Sequence, residues 1–87
     1  MKIKEGFVLR EVADNYVVVP TGKASINFNG MITLNETGAF LWKQLINVTT
    51  IETLVESLVR EYEVNKITAH QDVLRFINLL NGADLLE

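Results

Sequence analysis

A chain of 87 residues with 48% hydrophobic side chains reads as one small globular domain spanning residues 1–87, and its net charge of −3, with no block of basic residues, excludes a phosphate-binding stripe. Cysteine is absent, which excludes disulfides, thiolate nucleophiles and cysteine-held metals, and no apolar run approaches the roughly 20 residues of a membrane span. The start, MKIKEGFVLR, lacks the apolar stretch of a signal peptide, so the composition reads as a soluble, cytoplasmic protein.

From Phe7 to Ala13 the chain reads FVLREVA, Asp14-Asn15 offers turn chemistry, and YVVVP resumes with aromatic and β-branched residues. That is a hairpin pattern. Pro20 closes the second strand because it has no N–H to give a ladder, and TGKA follows as a loop. A second hairpin is expected between SINF and MITL, where Asn29-Gly30 suits a two-residue type I′ turn.

After Leu34 the apolar period lengthens from two to about 3.6. Asn35 is suited to cap a helix running from about 36 to 46, with Gly38, Leu41, Trp42 and Leu45 inward. Gly38 costs that helix about 1 kcal/mol relative to Ala, so close packing against it is expected. Thr49 and Glu52 have capping-box spacing at the start of a second helix, whose inner stripe is Ile51, Leu54, Val55, Leu58 and Tyr62. A short link, Glu63 to Asn65, leads to a third helix from Lys66 to Asn81, stopped by Gly82 in the left-handed region. Its apolar arc holds Ile67, Ala69, Val73, Leu74, Phe76, Ile77 and Leu80, and ADLLE tucks a leucine against the core. The fold class is therefore α+β: an N-terminal antiparallel β-sheet of three to four short strands followed by three α-helices, in a winged helix-turn-helix-like arrangement.

The strand pair VLREVADNYVVVPTG, the junction LNETGAFLWKQL, the stripe LVESLVREYEV and the third-helix pattern DVLRFINLL resemble the PqqD-like family, named for protein D of pyrroloquinoline quinone biosynthesis and related to the recognition elements of ribosomally made, post-translationally modified peptides. The resemblance spans nearly the whole chain. It implies a non-catalytic chaperone without a cofactor, which holds the leader of a precursor peptide and presents it to a modifying enzyme, often a radical SAM enzyme. It also implies that the leader adds as a strand to the sheet edge beside the third helix. Carried onto this chain, the edge would be Met31, Ile32, Thr33 and Leu34, and the helix flank Ile67, His70, Gln71 and Leu74. Pro20 is followed by Thr21 and the inter-helix link is NVTT, a departure from the quinone-pathway pattern that leaves peptide recognition as the shared feature.

Backbone chemistry points the same way, since a free edge strand offers unpaired N–H and C=O groups that an extended peptide can satisfy. The competing expectation is an edge covered by the chain's own tail or by a second copy, in an edge-paired or domain-swapped homodimer. A winged-helix DNA-binding regulator is the alternative function. Its outward helix face, Thr68, Gln71, Asp72, Arg75 and Leu79, sets one acid against one base, so little counterion release is available and no nucleic-acid partner is expected. An enzyme is disfavoured, because His70 is the only histidine and has no cysteine or glycine-rich phosphate loop to work with. The pair Glu52 and Glu56 reads as a solvated helix face rather than a metal site, and Trp42 as core.

Overall fold

The computed structural model describes residues 1–22 and 32–87. A three-stranded antiparallel sheet of β1 (Phe7–Val12), β2 (Asn15–Pro20) and β3 (Ile32–Leu34), in the order β1-β2-β3, is followed by helices α1 (Glu36–Gln44), α2 (Ile51–Tyr62) and α3 (Lys66–Gly82). The α+β class and the order of sheet before helices agree with the sequence reading. The expected strand at Ser25–Phe28 and the Asn29-Gly30 turn lie outside the described residues.

The first hairpin closes one residue earlier than expected. Val12 pairs with Asn15, so the turn residues are Ala13 and Asp14, with φ of 47° and 69°. Two consecutive positive φ values make a type I′ turn, whose twist matches that of the strands, and Ala13 carries the strain of that conformation without a glycine.

In a two-residue hairpin the closing pair exchanges its backbone hydrogen bonds, and every second pair repeats the pattern. Val12–Asn15, Arg10–Val17 and Val8–Val19 are therefore the bonded pairs of β1 and β2. The Thr21 N–H donating to the Gly6 carbonyl at 2.7 Å continues the same phase. The alternate residues of β2, Tyr16 and Val18, turn their backbone groups toward β3, where they pair with Leu34 and Ile32.

Two helix ends show local chemistry that differs from the sequence reading by one or two residues. Thr50, not Thr49, caps α2, its hydroxyl accepting from the Thr53 N–H at 3.2 Å. Gly82 is the last residue of α3 rather than the left-handed stop; that conformation belongs to Asp84, with φ 58°. The Asp84 N–H donates to Asn81 and the Leu85 N–H to Leu80, a Schellman closure that drops Leu85 into the core at 0% exposure.

The core joins all of these elements. Trp42, Leu41 and Leu45 of α1, Leu54 and Leu58 of α2, and Val73, Ile77 and Leu80 of α3 pack with Val18 and Leu34 of the sheet. Ile3, which no periodic pattern had marked, is also buried, at 5% exposure. It forms an antiparallel bridge with Leu86, and the backbones of Lys2, Lys4, Leu85 and Glu87 complete the pairing through two 2.8 Å hydrogen bonds. An exposed Lys4–Asp84 ion pair at 2.8 Å lies beside it. The closing tail is thus held by backbone bonds on one side and by Leu85 on the other. Leu85→Ala is expected to cost about 2 to 5 kcal/mol, measured by urea denaturation; a loss well under 1 kcal/mol would show that the tail is not part of the cooperative unit.

Candidate functional site

The phase of the ladder decides which backbone groups β3 leaves open. Because Ile32 and Leu34 turn theirs toward β2, the N–H and C=O of Thr33 point to the other side of the strand. Among the described residues no strand pairs there. Ile32 and Leu34 send their side chains to the helical side of the sheet, where Leu34 is buried, while the Thr33 side chain is exposed on the opposite face.

One residue, Asn35, separates β3 from α1. Its side-chain oxygen accepts from the Gly38 N–H at 2.8 Å, which fixes the direction in which the helix leaves the strand. A methyl group at Gly38 would lie 3.3 Å from Leu34 Cβ and 3.4 Å from the Phe76 ring, so both the strand end and α3 pack closely on this glycine. The close packing expected at Gly38 is present, from α3 as well as from the sheet.

Between these elements runs a groove of about 500 Å³. Thr33, Leu34 and Asn35 line one side, Thr37, Gly38 and Leu41 the end formed by α1, and Asp72, Arg75, Phe76 and Leu79 the α3 side. Its apolar part consists of buried Leu41 and Phe76 with the 47%-exposed Leu79 at the lip. Its polar part is Asp72 and Arg75, joined by one 3.3 Å contact.

Of the residues suggested by the sequence, Ile32, Thr33 and Leu34 form β3, and Thr33 and Leu34 line the groove. Met31 lies outside the described residues. Ile67, His70, Gln71 and Leu74 are all exposed on α3 and none lines the groove. They fall on a different row of the helix from Asp72, Arg75, Phe76 and Leu79, because each residue advances the helix by about 100°. Three residues expected on the solvent face, Asp72, Arg75 and Leu79, are groove residues instead. The one sequence signal for that row was Leu79, a large apolar residue out of phase with the buried arc.

On a different side of α1, Phe40 meets Tyr62 edge to face, with ring centroids 5.5 Å apart. Partial burial, reinforced by Glu36, Glu61 and Tyr16, raises the Tyr62 phenol above its ordinary pKa of 10.0. No group of three or more metal-ligating side chains occurs among the described residues.

Comparison with known proteins places this architecture. The sequence pattern of PqqD, described as coenzyme PQQ synthesis protein D, matches residues 15–86. No curated protein matches the chain by sequence. Among solved structures, TbiB1 in complex with the TbiA(beta) leader peptide is similar over 100% of this chain and 95% of that one, with 25% identity and a TM-score of 0.77. Lasso peptide synthetase B1 complexed with the leader peptide shares the fold at 17% identity and a TM-score of 0.70, over 93% of this chain and 89% of that one.

The raised phenol gives the fold a defined alkaline response. An unfolded chain releases the Tyr62 proton first, so stability is fully present below 10.0 and is lost as pH climbs from there through the folded-state value. Tyr62→Phe is expected to flatten this decline, read as the urea midpoint at rising pH; identical wild-type and variant profiles would show that the phenol ionises alike in both states.

Proposed function

The chain belongs to the PqqD family, and from that premise we propose that it is a non-catalytic adaptor, which holds the leader of a ribosomally made precursor peptide and presents it to a modifying enzyme. The observation that carries this reading is the outward backbone of Thr33 directly beside a groove with an apolar floor. The similarity over the full chain to a protein solved with a leader peptide supports it. On the family reading the modifying enzyme is often a radical SAM enzyme and the setting is the cytoplasm.

The peptide adds to β3 as a further strand. The proposed contact set is Ile32, Thr33 and Leu34, with Asp72, Arg75, Phe76 and Leu79 taking the place first assigned to Ile67, His70, Gln71 and Leu74. Magnitudes divide the labour between backbone and side chains. Thr33 offers two backbone hydrogen bonds, about 1 to 3 kcal/mol net together. Association costs an estimated 4 to 15 kcal/mol. Backbone pairing alone therefore does not hold a peptide, whereas each large apolar side chain that fills the groove adds about 1.5 to 3 kcal/mol. The strand edge aligns the leader and the groove selects it.

A titration of the isotope-labelled chain with synthetic leader peptides from precursor genes neighbouring its own, with a random DNA duplex as control, tests the reading. Thr33→Pro removes the outward N–H without touching the β2 ladder, so it is expected to lower leader affinity at least about tenfold while the domain still melts cooperatively. Ile32→Pro breaks the bonds to β2 and is expected to destabilise the fold as well. Undiminished affinity in Thr33→Pro would rule out strand addition at this edge. Shifts with DNA and none with any peptide would replace the adaptor with a nucleic-acid regulator.

The two exposed leucines of α3 separate the groove from the other helix face. Leu79→Glu is expected to weaken leader binding by about tenfold or more, and Leu74→Glu to leave it within about twofold, because Leu79 alone lines the groove. The reverse order would return the contact to the Ile67–Leu74 face.

A further inference from the structure

The groove contains one cation, and its placement says what kind of leader it takes. Arg75 is 77% exposed at the side chain, and among the described residues its one ion-pair contact is to Asp72, three residues earlier on the same helix, at 3.3 Å. An exposed pair of this kind, held by one contact, is weak. Most of the guanidinium donors remain available beside Phe76 and Leu79, where a carboxylate would be partly shielded from water. Asp72 is the more enclosed partner, with 37% of its side chain exposed, and Arg75 already stands next to it. The facing wall is the first turn of α1, the positive end of that helix, while Glu36 of the same turn acts on Tyr62 rather than lining the groove. Arg75 and the positive end of α1 favour an anion in the occupant, against the opposing charge of Asp72.

Spacing supplies the second half of the inference. The groove follows α3 from Asp72 to Leu79, and Arg75 and Leu79 are one helical turn apart, about 6 Å along the axis. In an extended peptide, side chains on one face recur every second residue, about 6.6 to 6.8 Å apart. One strand face can therefore present one side chain to Leu79 and Phe76 and the next to Arg75. Building on the peptide-adaptor reading, we propose that Arg75 selects an acidic residue of the leader, two positions away from a large apolar residue that fills the groove beside Phe76 and Leu79.

The test uses short synthetic peptides, each carrying one leucine and, two positions to either side of it, Glu, Gln or Lys, titrated into the full chain, Arg75→Glu and Asp72→Asn. Wild type is expected to bind the Glu peptides about two- to fivefold more tightly than the Gln peptides, with Lys weakest. Arg75→Glu is expected to reverse that order, and Asp72→Asn to retain it or sharpen it, since it releases Arg75. Thermal melts confirm that both exposed substitutions leave the domain folded. Equal binding of Glu, Gln and Lys peptides by wild type, or an unchanged order in Arg75→Glu, overturns the role of Arg75 and leaves the adaptor reading standing. A wild-type preference for Lys that disappears in Asp72→Asn transfers the selection to Asp72 and equally overturns it. Absence of binding to every peptide, together with silence toward the leader peptides, overturns the adaptor reading itself.

Discussion

A methyl group at Gly38 would meet Leu34 and Asn35 at 3.3 Å and Phe76 at 3.4 Å, tighter than ordinary side-chain contact, and the sheet and helices at the groove converge on that close approach. Leu34 and the Phe76 ring both lie within 3.4 Å of where a Cβ would sit, so the last residue of β3, the first turn of α1 and the middle of α3 meet at one point. Asn35 holds the same point from the chain side, by capping α1 through the Gly38 N–H. The glycine weakens the helix in isolation by about 1 kcal/mol. In return α3 comes near enough to the strand edge for the two to form opposite sides of one groove rather than separate surfaces.

The two edges of the sheet differ in what surrounds them. β1 is longer, six residues against three, and its exposed half carries Arg10 and Glu11, charges of the kind that discourage edge pairing. On the described part of β3, the open backbone groups at Thr33 stand next to apolar side chains of α1 and α3. A strand that paired with β1 would gain hydrogen bonds without this groove. A strand that pairs with β3 also buries side chains, and burial is the larger contribution.

Much of this was legible in the sequence, and the misses have distinct physical causes. The hairpin, the cap at Asn35 and the inner stripe of α2 follow from local chemistry and periodicity, and all three are present. The turn at Ala13-Asp14 and the cap at Thr50 were displaced by one residue, because neighbouring residues offer equivalent turn and cap chemistry and the strand register or helix phase chooses between them. Ile3 went unread because it is buried by pairing with Leu86, across almost the whole length of the chain, which no local pattern reports. The site was read in part. Strand-like residues place β3, but on α3 the apolar arc from Ile67 to Leu80 is wider than the buried face. Composition gives the width of such an arc and not its rotation, so Leu74 and Leu79 could exchange roles until α1 was in place.

That rotation also explains how one scaffold can serve different peptides. Backbone pairing at Thr33 is indifferent to the side chains of the incoming strand, so it confers alignment without selection. Asp72, Arg75 and Leu79 lie on a row of α3 whose side chains are at least partly exposed, while Val73, Ile77 and Leu80 hold the same helix in the core. Exchanging residues of the first row alters what the groove accepts, and the second row is untouched by the change. On the proposed reading, the stability of the domain and the choice of its peptide are carried by different faces of one helix, so the residue at position 75 can change without disturbing the core row.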